Sequence, residues 1–130
     1  MRQHEQALLL AKKAAEDTVL LGEILPSRNV SDEIFGFHCQ QACEKLLKAL
    51  LSHNGIAYPR THNLRLLMDL LADAGNGLPN ELIELDMLTP YGTLFRYEDI
   101  PSEVELNRET LFNLIRSLHQ FVGKRLSLKL

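Results

Sequence analysis

The chain has no tryptophan, only five phenylalanines and three tyrosines, and just 15 Val, Ile and Thr residues together. Pleated sheets draw on those residue types, so a β-sandwich or barrel fits poorly. With two cysteines there is no disulfide framework. Cys39 and Cys43 stand one helical turn apart, where a bridge would staple nothing distant, so they read as small buried hydrophobes. Adding His38 does not make a metal site. Closed zinc sites want cysteine pairs two to four residues apart plus a second distant pair, so no metal is expected. No stretch approaches the roughly 20 apolar residues of a membrane span. The apolar run Ala7 to Ala11 stops at Lys12 and Lys13, too short for a signal-peptide core. The expectation is a cytoplasmic protein without a membrane partner. A strong charge of either sign is also missing: 14 Lys+Arg against 17 Asp+Glu leave a net charge of -3. Nothing global draws such a chain to nucleic acid; a local basic cleft stays compatible with it, and no DNA partner is expected. There is no P-loop, nucleophile elbow or glycine-rich fingerprint, and no cofactor is implied.

What is present is leucine and alanine, 27 and 9 of them in 130 residues. These side chains lose little rotamer freedom in a helix. The length suits one domain spanning residues 1–130. Five segments carry a helical period. The first runs from about Arg2 to Leu21, with Leu8, Ala11, Ala15 and Val19 as its apolar stripe and a break at Gly22, Pro26 and Asn29. Ser31 or Asp32 caps the second. It turns Phe35, Cys39, Ala42, Cys43, Leu46, Leu47 and Leu50 inward and Gln40, Gln41, Glu44, Lys45 and Lys48 outward, and it closes at Asn54-Gly55. Thr61 caps a third, with Leu64, Leu67, Met68 and Leu71 inward and Gly75 and Gly77 at its end. Pro79 opens a fourth through Leu82, Leu85 and Leu88, kinked or split by Pro90 and Gly92, with Thr93 to Glu98 as its second half. Ser102 and Glu105 match a capping box for the last helix, whose core face is Leu111, Leu114, Ile115, Leu118 and Val122. Arg125 and Lys129 suit the negative end of its dipole. Short connectors between such helices favour antiparallel neighbours. The fold expected is all-α: an up-and-down bundle of four main helices plus a short or kinked fifth.

Candidate functional residues are sparse. Lys45 and Lys48 lie on the outer face of the second helix near His38 and Gln41, either as a solvated face or as a wall that contacts phosphate. Arg60-Thr61-His62-Asn63 opens the third helix, where free backbone N–H groups favour an anion that Arg60 and His62 would join; plain capping by Thr61 is the alternative. Phe95-Arg96-Tyr97-Glu98-Asp99 sets a guanidinium beside a phenol and two carboxylates. It reads as an ion pair fixing the chain's exit, or as a site where Arg96 holds a phosphate or a partner's carboxylate. No spacing of Ser, His and Asp suggests a triad.

Read together, these segments resemble a known family. Phe37-His38-Cys39-Gln40-Gln41-Ala42-Cys43-Glu44-Lys45-Leu46-Leu47-Lys48-Ala49-Leu50-Leu51 is similar to the second helix of HEPN domains, the "higher eukaryotes and prokaryotes nucleotide-binding" domains. Thr61-His62-Asn63-Leu64 resembles that family's Thr-His-Asp-Leu helix start, and Arg96-Tyr97 with Glu98-Asp99 resembles its Arg-Tyr-Pro-Asp-type segment. The match runs in order along the whole chain. The resemblance implies an all-α bundle, usually a homodimer packed through helices, and an association with nucleotides or RNA. In bacteria and archaea it also implies a minimal nucleotidyltransferase partner in a toxin–antitoxin pair, the HEPN member acting as a metal-independent ribonuclease. In that branch an Arg, four to six residues and a His form a site across the dimer interface. The Arg stabilises the developing phosphorane and the His moves a proton.

This sequence departs from that pattern. Its arginines are 2, 28, 60, 65, 96, 108, 116 and 125, its histidines 4, 38, 53, 62 and 119, and no Arg precedes a His by the required interval. The nearest late pair, Arg116 and His119, is one helical turn apart. The departure favours a non-enzymatic nucleotide-binding or accessory protein that uses Lys45, Lys48, Arg60, His62 and Arg96. A ribonuclease acting through Arg116 and His119 in a dimer cleft is the alternative, and a purely structural interaction module a third.

Overall fold

Helix α2 (Asp32–His53) is the element on which the others converge: α1 (Arg2–Ile24), α3 (Leu64–Asp73), a 3-10 helix (Glu84–Gly92) and α5 (Arg108–Ser127) all pack against it. A single turn of helix, α4 (Asn80–Ile83), leads into the 3-10 segment. These elements come from a computed structural model, which describes residues 2–92 and 106–127. Among the described residues all regular structure is helical, so the chain is the all-α bundle its composition predicts, with α4 and the 3-10 helix as the short fifth element. No helix among them is long and apolar enough to cross a membrane.

The core is mostly leucine, drawn from every helix: Leu21, Leu46, Leu47, Leu50, Leu64, Leu67, Leu71, Leu82, Leu85, Leu88 and Leu118 are all buried. Each contributes roughly 1.5–3 kcal/mol by leaving water. The inward set expected for α2 is buried throughout. Its caps also fall where the sequence puts them: the Ser31 hydroxyl accepts from the Ile34 N–H at 3.2 Å, and Gly55 takes a φ of 69° just past the helix end.

Four expectations need correction. In α1 the fully buried residues are Ala7, Ala14 and Leu21, while Leu8 and Val19 stay 42% and 68% exposed. The helix has apolar residues on several faces, and small Ala side chains let α1 approach α2 more closely than a leucine stripe would. The helix also runs through Gly22 to Ile24 before breaking.

The third helix is capped by Asn63, whose Oδ1 accepts from the Leu66 N–H at 3.2 Å. Thr61 Oγ1 instead accepts from the Asn63 N–H at 3.0 Å, forming a tight turn that presents Asn63.

The fourth helix tightens to 3-10 after one turn. Leu82, Leu85, Leu88 and Tyr91 recur every three residues and are all buried, a period that superposes on one face of a 3-10 helix. Its close approach to α2 depends on Gly36, where a Cβ would stand 2.4 Å from Tyr91 Cδ1. The expected second half of this helix, Thr93 to Glu98, lies outside the described residues.

The last helix begins at Arg108, with Asn107 Oδ1 accepting from the Thr110 N–H at 3.0 Å. The Ser102 and Glu105 capping box and Lys129 lie outside the described residues. Its buried face is Leu111, Ile115, Leu118, Val122 and Leu126, with Leu114 partly buried.

Arg108, which the sequence pattern did not single out, ties the ends of three helices. Its guanidinium donates to the carbonyls of Ile24, Ser27 and Val30 and to Asp32 Oδ1, and it stacks 5.1 Å from the Phe35 ring centroid. One side chain therefore takes up the carbonyl of Ile24 at the end of α1 and two carbonyls, Ser27 and Val30, of the α1–α2 connector.

Candidate functional site

Gln40, Glu44, Lys48 and Ser52 recur every four residues on α2, so they form one strip about 18 Å long at 1.5 Å per residue. The connector from Asn54 to Asn63 lies against it. At the centre is Glu44, whose side chain is only 9% exposed. Its carboxylate accepts from Gln40 Nε2 at 3.0 Å and Lys48 Nζ at 2.9 Å, and His62 Nδ1 stands 2.8 Å away. Gln40 also donates to the His62 carbonyl at 3.1 Å and accepts from Gln41 Nε2 at 2.8 Å. Burial by itself would push the Glu44 pKa up. The hydrogen bonds from Lys48, Gln40 and His62, with the Lys48 charge, outweigh it and hold the carboxyl below its ordinary value. Gly92 closes the network: a Cβ there would sit 3.0 Å from the Gln40 amide and 3.2 Å from His62 Cβ.

Gln40 and Glu44 are thus buried, against the expectation that they face outward. Their polarity marks them for the surface, but α2 is covered on nearly every side, so polar positions are buried too and must be satisfied internally. The contact that reveals this, Glu44 to His62, spans 18 residues and leaves no trace in local spacing.

A second cluster joins α1 to α2. Asp17 Oδ2 accepts from Lys45 Nζ at 2.6 Å, and Asp17 Oδ1 stands 3.5 Å from His38 Nδ1. That second distance is within electrostatic reach but too long for a good hydrogen bond, and His38 Nδ1 is enclosed with no hydrogen-bond partner among the described residues. Phe37 meets the His38 ring edge-on at 5.2 Å.

The residues singled out for phosphate binding are therefore placed unequally. Lys48 and His62 meet on Glu44. Lys45 sits three residues from Lys48 but is paired with Asp17, so both lysines carry a carboxylate partner and neither is a bare cation on an outer face. Arg60, exposed in the connector, makes no ion pair among the described residues. At the start of α3, the Leu64 N–H donates to Thr89 Oγ1 at 3.2 Å and the Leu66 N–H to Asn63. Those donors are already taken, so any anion here would be held chiefly by side chains. Arg96 and Tyr97 lie outside the described residues.

The other pair, Arg116 and His119, lines a cleft of about 300 Å³ between α1 and α5, together with Ala15, Thr18, Val19 and Gln120. Arg116 is exposed and stacks 5.7 Å from the Phe112 centroid. His119 Nδ1 is enclosed there without a hydrogen-bond partner among the described residues.

The cysteines are buried and unbridged. Burial pushes the Cys39 thiol up to about 12, with Arg108 opposing only in part, and burial pushes Cys43 up as well. Neither is a thiolate near neutral pH, so neither is poised as a nucleophile. Among the described residues no group of three or more His, Cys, Asp or Glu could hold a metal.

No curated protein and no solved structure matches this chain. The family model for the HEPN domain matches residues 6–126, from the first turns of α1 to the last turn of α5. The chain therefore belongs to the HEPN domain family.

Proposed function

We propose that this chain is a cytoplasmic, non-enzymatic HEPN protein that dimerises, binds nucleotide phosphates along the α2 strip and its connector, and partners a minimal nucleotidyltransferase in a toxin–antitoxin-like pair. Lys45, Lys48, Arg60, His62 and Arg96 would hold the phosphates. The observation that carries the reading is the convergence of Lys48 and His62 on one buried carboxylate, with Arg60, which makes no ion pair among the described residues, two residues before His62. Glu44 fixes the lysine and the imidazole in place, which lowers the ordering cost of binding. Arg60 adds charge that no neighbour neutralises among the described residues, and a guanidinium fork suits phosphate oxygens. Dimerisation is supported by Leu8 and Val19, apolar residues of α1 left exposed. The test is nucleotide titration of an Arg60→Ala plus Arg96→Ala variant. Weakened affinity is the expected result, and unchanged affinity would remove the site assignment.

One observation favours a second reading. Arg116 and His119 share a cleft, and the enclosed His119 Nδ1 has no hydrogen-bond partner among the described residues. A dimer that brought two such clefts together would give a metal-independent ribonuclease. It would cleave RNA in the presence of chelator, and His119→Ala would abolish the cleavage; intact RNA after prolonged incubation with the dimer would count against this reading.

A further inference from the structure

The α2 strip ends in a groove whose chemistry differs from the rest. Beyond Lys48, where the first turn of α1 meets the end of α2, a groove of about 430 Å³ is lined by Gln3, Gln6, Ser52, Ile56 and Tyr58, with Gly55 and Ala57 between them. None of the described residues that line it is charged. The volume lies within the roughly 300–1,000 Å³ of small-molecule sites. The side-chain amides of Gln3 and Gln6 have no hydrogen-bond partner among the described residues. Among the described residues the Tyr58 hydroxyl reaches only the Ser52 hydroxyl, at a long 3.4 Å. The groove thus offers amides and hydroxyls that each donate and accept, beside apolar surface from Ile56.

The groove also has a direction. Lys48 Nζ stands 5.8 Å from the Tyr58 ring centroid, so the groove's aromatic wall touches the cationic seam. Arg60 and His62 follow Tyr58 in the same connector. One strip therefore runs from a neutral hydrogen-bonding groove to Lys48, held on Glu44, and on along the connector to the guanidinium of Arg60, the order of polarity of a nucleotide from base to phosphate. Amide side chains match nucleobase edges because one planar group presents a donor and an acceptor side by side.

We propose that the groove between Gln3, Gln6, Ser52 and Tyr58 is the nucleobase subsite of this protein. This rests on the phosphate site proposed above and extends it: the connector carrying Tyr58, Arg60 and His62 spans both ends of one ligand. Selection among bases comes from the two glutamines, and charge from Lys48 and Arg60.

The experiment is calorimetric titration of the full chain with ATP, GTP, CTP and UTP, and with inorganic triphosphate as the ligand without a base. It is repeated on a Gln3→Ala plus Gln6→Ala variant and on Arg60→Ala. Both glutamines are exposed and make no hydrogen bond among the described residues, so the double variant is expected to fold, which its circular dichroism checks. The expected result is that at least one nucleotide binds more tightly than triphosphate. The double variant should lose about tenfold of that nucleotide's affinity while triphosphate affinity stays unchanged. Arg60→Ala should weaken both ligands. If triphosphate binds as well as every nucleotide, or the double variant binds its nucleotide as wild type does, the base subsite is overturned and the phosphate site stands. If neither nucleotide nor triphosphate binds, both are overturned.

Discussion

The two polar regions of this molecule treat their side chains in opposite ways. Along α2, Gln40, Glu44, Lys48 and His62 are bonded to one another, and Gly92 seals them from one side. In the α1–α5 cleft, Arg116 rests on a phenylalanine ring and His119 keeps an enclosed nitrogen without a hydrogen-bond partner among the described residues. A satisfied buried network rigidifies the fold around it, while a polar group left without a partner marks a place the fold has not completed. The α2 strip is therefore part of the architecture as well as a candidate site, whereas the polar side chains of the cleft form no such network among the described residues. Substitutions should separate the two.

The largest effect is expected at Glu44. Glu44→Ala removes the common acceptor of Gln40, Lys48 and His62 and leaves the lysine without its buried partner, at a cost of about 3–5 kcal/mol. Urea unfolding measures this, and a change under 1 kcal/mol would show that the network is not structural. Gly92→Ala drives a methyl group into the Gln40 amide and His62, and should cost about 1–3 kcal/mol by forcing the 3-10 helix away from α2. A thermal melt reads this directly, and an unshifted midpoint would mean that the closure is loose.

The pH dependence sharpens the same contrast. Glu44 is held below its ordinary pKa in the folded chain, so the unfolded chain takes up the proton first as pH falls. Its stabilisation is complete above the ordinary value of 4.5 and is lost as pH drops through the lower folded value. Wild type should therefore lose stability to acid over that window more steeply than Glu44→Gln; parallel curves from pH 6 downward would contradict the assignment. The smallest effect is expected in the cleft. Arg116→Ala, at an exposed position, should change unfolding free energy by no more than about 0.5 kcal/mol, and a larger loss would make the cleft structural as well.

Much of the fold was legible because it is local. The 3.6-residue period found the long helices, and Ser31, Gly55 and Gly75 mark ends that capping chemistry alone specifies. The failures share a cause in tertiary context. Which stripe of α1 is buried depends on how closely α2 approaches, and Ala7 and Ala14 look like weak core residues until that distance is known. Leu82, Leu85 and Leu88 read as one helical stripe, but Leu82 ends up in α4 and only Leu85 and Leu88 in the 3-10 helix, whose period of three matches their spacing. Part of the site was legible as residue types: Lys48 and His62 were both named. What joins them was not, because Glu44 read as a surface charge and Asp17 lies 28 residues from Lys45.

The most direct test of the account is isothermal titration of the purified chain with ATP, GTP and a short RNA, its mass in solution recorded alongside. Micromolar binding of a nucleotide to a dimer is the predicted result. A chain that gives no heat with any of the three would contradict the nucleotide site on α2.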